Sequence, residues 1–242
     1  GPESGTTPIT VEYVKGVERL CRKYGALLVF DEVVTGFRIG MAGAQGYFGV
    51  SPDLTIFGKV IAGGYPGAGG IGGKREYMKY LGAGLDSSGK KIHKALVGGT
   101  MTANPLSCCA GYFTLEEIER TNACQKAGQM GDRICAGLKE LVKKHGLPFV
   151  VWNTGSICHL ETVGTMHYQI NWKKPWEIPA ILGETGIRQK EMEHMGAAYM
   201  AEGLVTLAGS RLYTSAAYTP KMIDQALACF DRVFENVAVK AD

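Results

Sequence analysis

The sequence predicts an α/β protein that ends in a smaller α+β part, and three observations support this. The short apolar runs 26–30 and 53–57 are typical of buried strands in a parallel sheet. A helical pattern precedes the first run, which is the helix-then-strand order of half a βαβ unit. From Pro148 onward, short strands are followed by helices. We therefore expect a mostly parallel sheet with helices over residues 1–125 and a small α+β domain over residues 126–242.

Capping residues and helical spacing predict the helices of the first part. Thr10 is suited to an N-cap and Gly25 to a helix end. The apolar residues between them recur at helical spacing, at Val14, Val17, Leu20, Cys21 and Tyr24. Asn104 followed by Pro105 predicts the start of a second helix that reaches about Glu119. A third helix is expected over roughly 125–145.

The remaining stretches of the first part are predicted to be loops or short elements. Residues 1–7 read as a polar, turn-rich lead, 34–51 and 63–73 as glycine-containing loops, 74–81 as a short helix and 82–97 as an exposed loop. Gly67, Gly69 and Gly72 have the G-x-G-x-x-G spacing of a dinucleotide site. A proline precedes them where that fingerprint requires a strand, so close backbone approach is the better explanation for the glycines.

The second part is predicted to contain antiparallel strands and two long helices. Strands are expected over 149–152 and 156–163, joined by a turn at 153–155. A Trp/Pro loop over 171–179, a helix over 186–200 and short strands over 204–207 and 211–216 follow. Thr219 and Pro220 then begin a last amphipathic helix.

The bulk composition excludes several classes of protein. A net charge of +3 is too small to indicate a nucleic-acid or membrane-surface partner. No run approaches the roughly 18 apolar residues of a membrane span. The seven cysteines are odd in number and lack C-x-x-C spacing, which favours reduced thiols and no zinc site. With no signal-peptide pattern, the chain is expected to be cytoplasmic, although a targeting segment would be lost from a fragment.

Two charged residues stand at the ends of the predicted strands. Asp31 and Lys59 each follow an apolar run, and ligands of open α/β sheets bind outside the carboxyl ends of the strands. A carboxylate that keeps a ring nitrogen protonated, together with a lysine that forms a Schiff base, suits pyridoxal 5′-phosphate. The simpler alternatives are that Asp31 is a cap or turn residue and that Lys59 is a solvated strand end.

The motifs around these two residues resemble a known family. In order and spacing they are similar to the class III aminotransferases of pyridoxal-phosphate fold type I, and most similar to the glutamate-1-semialdehyde aminomutase branch. The motifs are residues 31–38 (DEVVTGFR), 44–50 (AQGYFGV), 52–54 (PDL), Gly58-Lys59, Gly99-Thr100 and Asn104-Pro105. The resemblance runs from Pro2 to about Val237, but it matches only the latter half of such an enzyme.

The resemblance implies a role for four residues. Lys59 would be the Schiff-base lysine and would move a proton between the substrate Cα and the cofactor. Asp31 would hold the pyridine nitrogen protonated, and Val33 would pack against the ring face. Thr100 would hydrogen-bond the cofactor phosphate, usually that of the neighbouring subunit. For Val33 the alternative is simple core packing, and for Thr100 it is an ordinary turn residue.

Two positions leave the substrate class open. Val34 stands where many class III aminotransferases carry glutamine, which favours the aminomutase-like branch. Arg211, however, aligns with the arginine that many aminotransferases use for a substrate carboxylate, and the aminomutase branch typically lacks it. Arg211 would then select an amino acid or keto acid. The structural alternative for Arg211 is an ion pair with Glu184 or Glu202.

The resemblance also implies that a first half is missing. We expect an enzyme that acts on an amino acid or amino-aldehyde through Lys59, either an aminotransferase or an aminomutase, and that is complete only with this N-terminal half. The chain would be a fragment, a partner of a separate N-terminal-half chain, or a truncated product, and complete units would form a homodimer. An amino-acid racemase on the same scaffold and a non-catalytic remnant or assembly module are the alternatives. Glu32, Arg38 and Gln45 are read as supporting residues.

Overall fold

The structure, a computed structural model, describes residues 8–82, 84–162 and 173–238. The chain divides into two compact units, one of Ile9–Cys124 and the other made mainly of Gln125–Asp242. The assignment of residues 1–125 to a cofactor-binding large domain and of 126–242 to a small domain stays a prediction. The predicted polar lead at residues 1–7 lies outside the described residues.

The first unit combines helices with a three-stranded sheet. Strand β1 (Val29–Asp31) runs parallel to β2 (Leu54–Phe57), and β2 runs antiparallel to β3 (Gly70–Gly73). The strand order in the sheet is β1-β2-β3. The helices and strands are α1 (Val11–Tyr24), β1 (Val29–Asp31), α2 (Gly43–Phe48), β2 (Leu54–Phe57), β3 (Gly70–Gly73), α3 (Arg75–Met78) and α4 (Pro105–Arg120). The structure therefore contains the predicted parallel pair.

The helices with local capping signals begin and end where the sequence indicates. The Thr10 hydroxyl accepts a hydrogen bond from the backbone N–H of Tyr13 at 3.1 Å, and Gly25 ends α1 with φ of +65°. Asn104 caps α4 by accepting a hydrogen bond from the backbone N–H of Ser107 at 3.0 Å. Each cap satisfies an N–H group that has no partner inside the helix.

Two predictions for the glycine-containing loops were wrong. The loop predicted over 34–51 contains α2, whose N-terminal amides are bonded by Glu32, eleven residues before the helix begins. The loop predicted over 63–73 ends in β3, where backbone pairing with β2 overrides the weak strand preference of glycine. In addition, the helix predicted over 74–81 is divided into α3 and a 3-10 turn at Lys79–Leu81.

The core of the first unit lies between α1, β1 and α2. Its buried members are Val14, Leu28, Ala44, Phe48 and Val50. On the sheet, Asp31, Ile56 and Ile71 form one cross-strand row. Because side chains alternate along a strand, Val29 lies on the same face as this row. On that face, Val29, Ile56 and Ile71 are 40–46% exposed.

The second unit packs three helices against an antiparallel sheet of three strands, which lie side by side in chain order. Its elements are α5 (Ala123–Lys144), β4 (Val150–Thr154), β5 (Ile157–Glu161), α6 (Ile178–Ala201), β6 (Arg211–Tyr213) and α7 (Pro220–Ala238). The first two strands form the predicted hairpin. Val163, the predicted end of the second strand, and residue 171, where the Trp/Pro loop was to begin, lie outside the described residues.

The strand predicted over 204–207 does not form. Leu207 makes only an isolated bridge to Arg211. Ala208 and Gly209 both have positive φ, at +53° and +71°, so the chain reverses before a ladder can develop. Helix α6 also begins eight residues earlier than predicted, at Ile178.

The core of the second unit joins α5, α6 and α7 to the sheet. Its fully buried side chains include Leu138, Leu160, Tyr199, Phe230 and Phe234. Burial of the Tyr199 side chain raises the pKa of its hydroxyl well above the usual range. Throughout the described part of the chain, no helix combines the length and apolar character that crossing a membrane requires.

Candidate active site

A cavity of about 490 Å³ lies in the first unit, where β1 and β2 end. This volume falls within the range of small-molecule sites. The cavity is lined by Val33, Val34, Gly36, Phe37, Arg38, Lys59, Val60, Gly64 and Tyr65. The structure thus brings together two of the residues selected from the sequence, Val33 and Lys59.

Lys59 has an unusual backbone conformation. It follows Gly58, begins a 3-10 turn that ends at Ala62, and has φ of +49°. A non-glycine residue rarely adopts positive φ, and such strain persists only where the surrounding structure holds it. A Cβ on Gly58 would stand 3.2 Å from the Val33 Cγ1 atom, so glycine allows Val33 to come close beside the lysine.

Asp31 stands at the end of β1 and is exposed in this chain. One carboxylate oxygen, Oδ1, accepts a hydrogen bond from the backbone N–H of Val33 at 3.0 Å. This local bond fits the turn-residue alternative, yet among the described residues the other oxygen, Oδ2, accepts no hydrogen bond. Asp31 therefore retains an acceptor for a further partner. It is not one of the cavity-lining residues in the described part of the chain.

Glu32 holds the loop that lines the cavity through hydrogen bonds to Thr35, Ala44 and Gln45. It is buried, and its carboxylate accepts hydrogen bonds from the backbone N–H groups of Ala44 at 2.8 Å and Gln45 at 2.9 Å, and from the Thr35 hydroxyl. A Cβ on Gly43 would meet this carboxylate within 3 Å. Glu32 thus ties the end of β1 to α2 and fixes the intervening loop, whose residues line the cavity.

Thr100 lies outside the cavity lining described above. It is exposed in the turn that precedes α4, where the backbone N–H of Thr102 donates to the carbonyl of Gly99 at 3.0 Å. Among the described residues of its own unit, Thr100 has only this turn role. Its predicted contact with a cofactor phosphate stays a prediction.

Arg211 belongs to the second unit, where it begins β6 opposite His159. His159 is buried and stacks on Trp152, with ring centroids 3.9 Å apart and an angle of 6° between the planes. Glu202, one of the two acids considered as a partner of Arg211, binds Arg232 with a distance of 2.7 Å to Nε. The side chain of Glu184, the other acid, lies outside the described part.

A buried carboxylate, Asp53, precedes β2. It accepts hydrogen bonds from the backbone N–H of Leu28 at 2.8 Å, from Lys74 Nζ at 2.6 Å and from Arg22 Nη1 at 2.6 Å. These contacts, the Leu28 amide first, hold the pKa of Asp53 well below its usual range. Asp53 therefore stays charged and joins α1, β1 and the end of β3.

Sequence reasoning missed several cavity residues, including Phe37 and Tyr65. Phe37 lies within a quoted motif and has φ of +56°, but no sequence pattern shows which way a loop side chain points. Tyr65 follows Gly63 and Gly64, so its neighbours indicated only a turn. An aromatic residue within a glycine-dense stretch after the lysine is the one signal that could have drawn attention to it.

Known proteins with similar sequences fall in one family. The family described as Aminotransferase class-III matches residues 2–208 of this chain. A glutamate-1-semialdehyde 2,1-aminomutase 2 from Shouchella clausii (strain KSM-K16) is 36% identical over 98% of this chain and 50% of its own length. A glutamate-1-semialdehyde 2,1-aminomutase from Legionella pneumophila (strain Paris) is 40% identical over 61% of this chain and 32% of its own length.

Solved transaminase structures have the same fold. An omega-transaminase from Sphaerobacter thermophilus superposes with a TM-score of 0.72 at 23% identity, covering 96% of this chain and 49% of its own. A β-phenylalanine aminotransferase from Variovorax paradoxus gives 0.75 at 20% identity, covering 98% and 50%. A structure described as a transaminase with PLP bound gives 0.75 at 22% identity, covering 97% and 50%. The chain thus spans about half the length of these proteins.

The fold and the family predicted from the sequence are both confirmed. The structural neighbours support the fold class at the level of the whole chain, and the family match extends over both units. The chain belongs to the class III aminotransferase family.

Proposed function

We propose that this chain forms part of a pyridoxal-phosphate-dependent aminotransferase or aminomutase in which Lys59 binds the cofactor. The observation that carries the proposal is that Lys59 and Val33 line one cavity of about 490 Å³ at the ends of β1 and β2. Relatives named as aminomutases and structural neighbours named as transaminases favour these two activities over a racemase or a non-catalytic module.

The cavity and the strand end beside it fit pyridoxal phosphate in three respects. The volume suits a ligand of this size. The absence of a side chain at Gly58 keeps space beside Val33, which offers an apolar surface for a flat ring. Asp31 has an oxygen available for a protonated ring nitrogen, at the end of the strand that leads into the cavity wall.

When bound, the cofactor supplies a ring that accepts the electron pair released as a bond to the substrate Cα breaks. Lys59 Nζ would hold the cofactor through its aldehyde carbon and, once released by the substrate amine, would move a proton to or from the substrate. Asp31 would hold a proton on the ring nitrogen. Val33 would orient the ring, and Phe37 and Tyr65 would add aromatic surface to the cavity lining.

The proposal also covers the substrate and the assembly. Arg211 would bind a carboxylate, because its planar fork matches two parallel hydrogen bonds, and the substrate would be an amino acid or keto acid. Thr100 would reach the phosphate of a neighbouring subunit. We further propose a homodimer of complete units in the cytoplasm, each completed by an N-terminal half on the same or a separate chain.

Reductive trapping tests the assignment of Lys59. Protein supplied with the proposed N-terminal half should turn yellow with pyridoxal phosphate. Borohydride should then fix the cofactor on one lysine, and peptide mapping should identify it as Lys59. Lys59→Ala should abolish this adduct, whereas Lys90→Ala, which changes an exposed lysine in the loop after α3, should leave it intact. A reduced adduct on another lysine would refute the proposal.

A further inference from the structure

We propose that Ser107, in the first turn of α4, is a positioning residue that holds the Lys59 segment in its left-handed conformation. The inference rests on the proposed role of Lys59. It concerns a contact 48 residues away along the chain, which none of the sequence motifs around Lys59 includes.

The segment that begins at Lys59 leads directly to a contact with α4. The 3-10 turn ends at Ala62, its C-cap Gly63 has φ of +60°, and the chain continues to Pro66. The carbonyl oxygen of Pro66 accepts a hydrogen bond from the Ser107 hydroxyl at 2.6 Å and from Asn104 Nδ2 at 3.3 Å. Ser107 is only 1% exposed, so its hydroxyl is committed to this contact and to its neighbour Asn104.

Ser107 uses its position in the helix in an uncommon way. Asn104 is the N-cap, which makes Ser107 the third helical residue, and its backbone N–H bonds the Asn104 Oδ1 atom. In a capping box, the side chain at this position returns to the N-cap backbone. Here the hydroxyl donates instead to the Pro66 carbonyl. The first turn of α4 therefore binds the segment that follows Lys59.

Glycine contacts bring the backbones of α4 and the turn together. A Cβ on Gly111 would clash with the carbonyl oxygen of Ile61, and a Cβ on Gly63 would clash with the backbone of Ala110. Gly111 is buried one turn after Ser107 on the same side of α4. The turn is therefore fixed against the helix at its middle and at its end.

Energetics indicate why Lys59 needs such support. A non-glycine residue in the left-handed region is strained and persists only where surrounding contacts hold it. Inside the turn itself the bond from the Ile61 N–H to the Gly58 carbonyl is long, at 3.4 Å, and the bond from Gly63 to Val60 is 2.9 Å. Contacts from outside the turn add support, and of the two hydrogen bonds to the Pro66 carbonyl the one from Ser107 is the shorter.

Two variants and a matched control test the inference. Ser107→Ala removes the hydroxyl, and Asn104→Asp removes the amide donor to Pro66 while keeping the acceptor that caps α4. The control is Thr121→Ala, because the Thr121 hydroxyl also donates to a backbone carbonyl at 2.6 Å, that of Glu117, at the opposite end of the same helix. All three variants are made in the protein supplied with the proposed N-terminal half.

Two readouts are compared with the unfolding midpoint of each variant. Hydrogen exchange of the Gly63 and Tyr65 amides should accelerate roughly three- to tenfold in Ser107→Ala and Asn104→Asp, as expected for the loss of one hydrogen bond. The rate at which pyridoxal phosphate is trapped on Lys59 by borohydride should fall by a similar factor. Thr121→Ala should change neither rate, even where its unfolding midpoint falls.

The outcomes separate this inference from the proposal on which it depends. If wild-type protein is trapped on another lysine, the role of Lys59 is wrong. If trapping occurs on Lys59, but Ser107→Ala and Thr121→Ala behave alike in both readouts, Ser107 only stabilises the helix and the positioning role is overturned.

Discussion

At the scale of single residues, Arg211 lies opposite His159 on the sheet of the second unit. The backbone N–H of Leu160 donates to the carbonyl of Ser210 at 2.8 Å, which makes the adjacent pair, His159 and Arg211, a non-hydrogen-bonded pair. In such pairs the side chains approach each other closely. Trp152 stacks on the His159 ring, so these three side chains form one cross-strand row.

If Arg211 binds a substrate carboxylate, Arg211→Lys should weaken kcat/KM for amino-acid substrates. The expected loss is about 1.5–3 kcal/mol, the range for a charge-assisted hydrogen bond, because lysine cannot form two parallel bonds. The absorption spectrum of the bound cofactor should be unchanged. The measurement is kcat/KM for an amino acid and for the amine obtained by its decarboxylation, in wild type and variant.

The control for this experiment is Arg232→Lys in the same unit, since Arg232 binds Glu202 at the surface. It should affect both substrates little, because exposed ion pairs contribute at most about 1 kcal/mol. An equal loss for the amino acid and for its amine in Arg211→Lys would mean that Arg211 is structural.

At the scale of secondary structure, Asp53 joins three elements of the first unit. Its carboxylate is bonded by Arg22 from α1, by the Leu28 amide that precedes β1 and by Lys74 after β3. Asp53→Asn keeps an acceptor for the amide but loses the charge. We expect it to lower the free energy of unfolding by about 2 kcal/mol at pH 7, the size of a charged hydrogen bond.

The contribution of Asp53 to the free energy of unfolding should decrease at acidic pH. The pKa of Asp53 is lowered in the folded protein, whereas an unfolded aspartate has a pKa of about 3.9. The stabilisation is therefore fully present above the unfolded pKa and is lost as the pH falls toward the folded one. Urea unfolding at pH 7 and at pH 3 should show the difference between wild type and Asp53→Asn shrinking at pH 3.

The matched control is Glu117→Gln, which removes the exposed carboxylate of the Arg120 pair in the same unit. Its cost should stay below about 1 kcal/mol at either pH. A difference between wild type and Asp53→Asn that does not shrink at pH 3 would show that the charge of Asp53 is not the source of its stabilisation.

The same elements show what the sequence can and cannot predict. Helices α1 and α4 were predicted because their capping signals lie within three residues of the helix they cap. Helix α2 was missed because its amides bond Glu32, which lies outside the helix, and β3 was missed because only pairing with β2 makes a strand of glycines. For the site, the strand ends predicted that Asp31 and Lys59 face one crevice, and the resemblance added Val33. Lys59 and Val33 line the described cavity, whereas Asp31 does not, and the loop geometry that adds Phe37 and Tyr65 has no local signature.

At the scale of the molecule, the surfaces of the first unit carry apolar groups that the chain itself leaves exposed. One face of the sheet exposes Val29, Ile56 and Ile71. Val97 and Met101, on either side of Thr100, are each 62% exposed. Large apolar patches of this kind mark surfaces that other polypeptide segments cover. If the proposed N-terminal half and homodimer form, we expect the first patch to be covered by that half and the second by the neighbouring subunit.

Subunit mixing tests whether Thr100 serves a site other than its own. Thr100 does not line the described cavity that contains Lys59, as expected if its hydroxyl acts on the cofactor phosphate of a partner. A subunit with Lys59→Ala and one with Thr100→Ala should each be weakly active or inactive as homodimers. Their heterodimer should recover up to about half of the activity per dimer, because one of its two composite sites contains both residues. The measurement is activity after subunit exchange, with exchange itself followed by a mass tag. Mixing each variant with itself is the control, and full exchange without recovery would confine Thr100 to its own subunit.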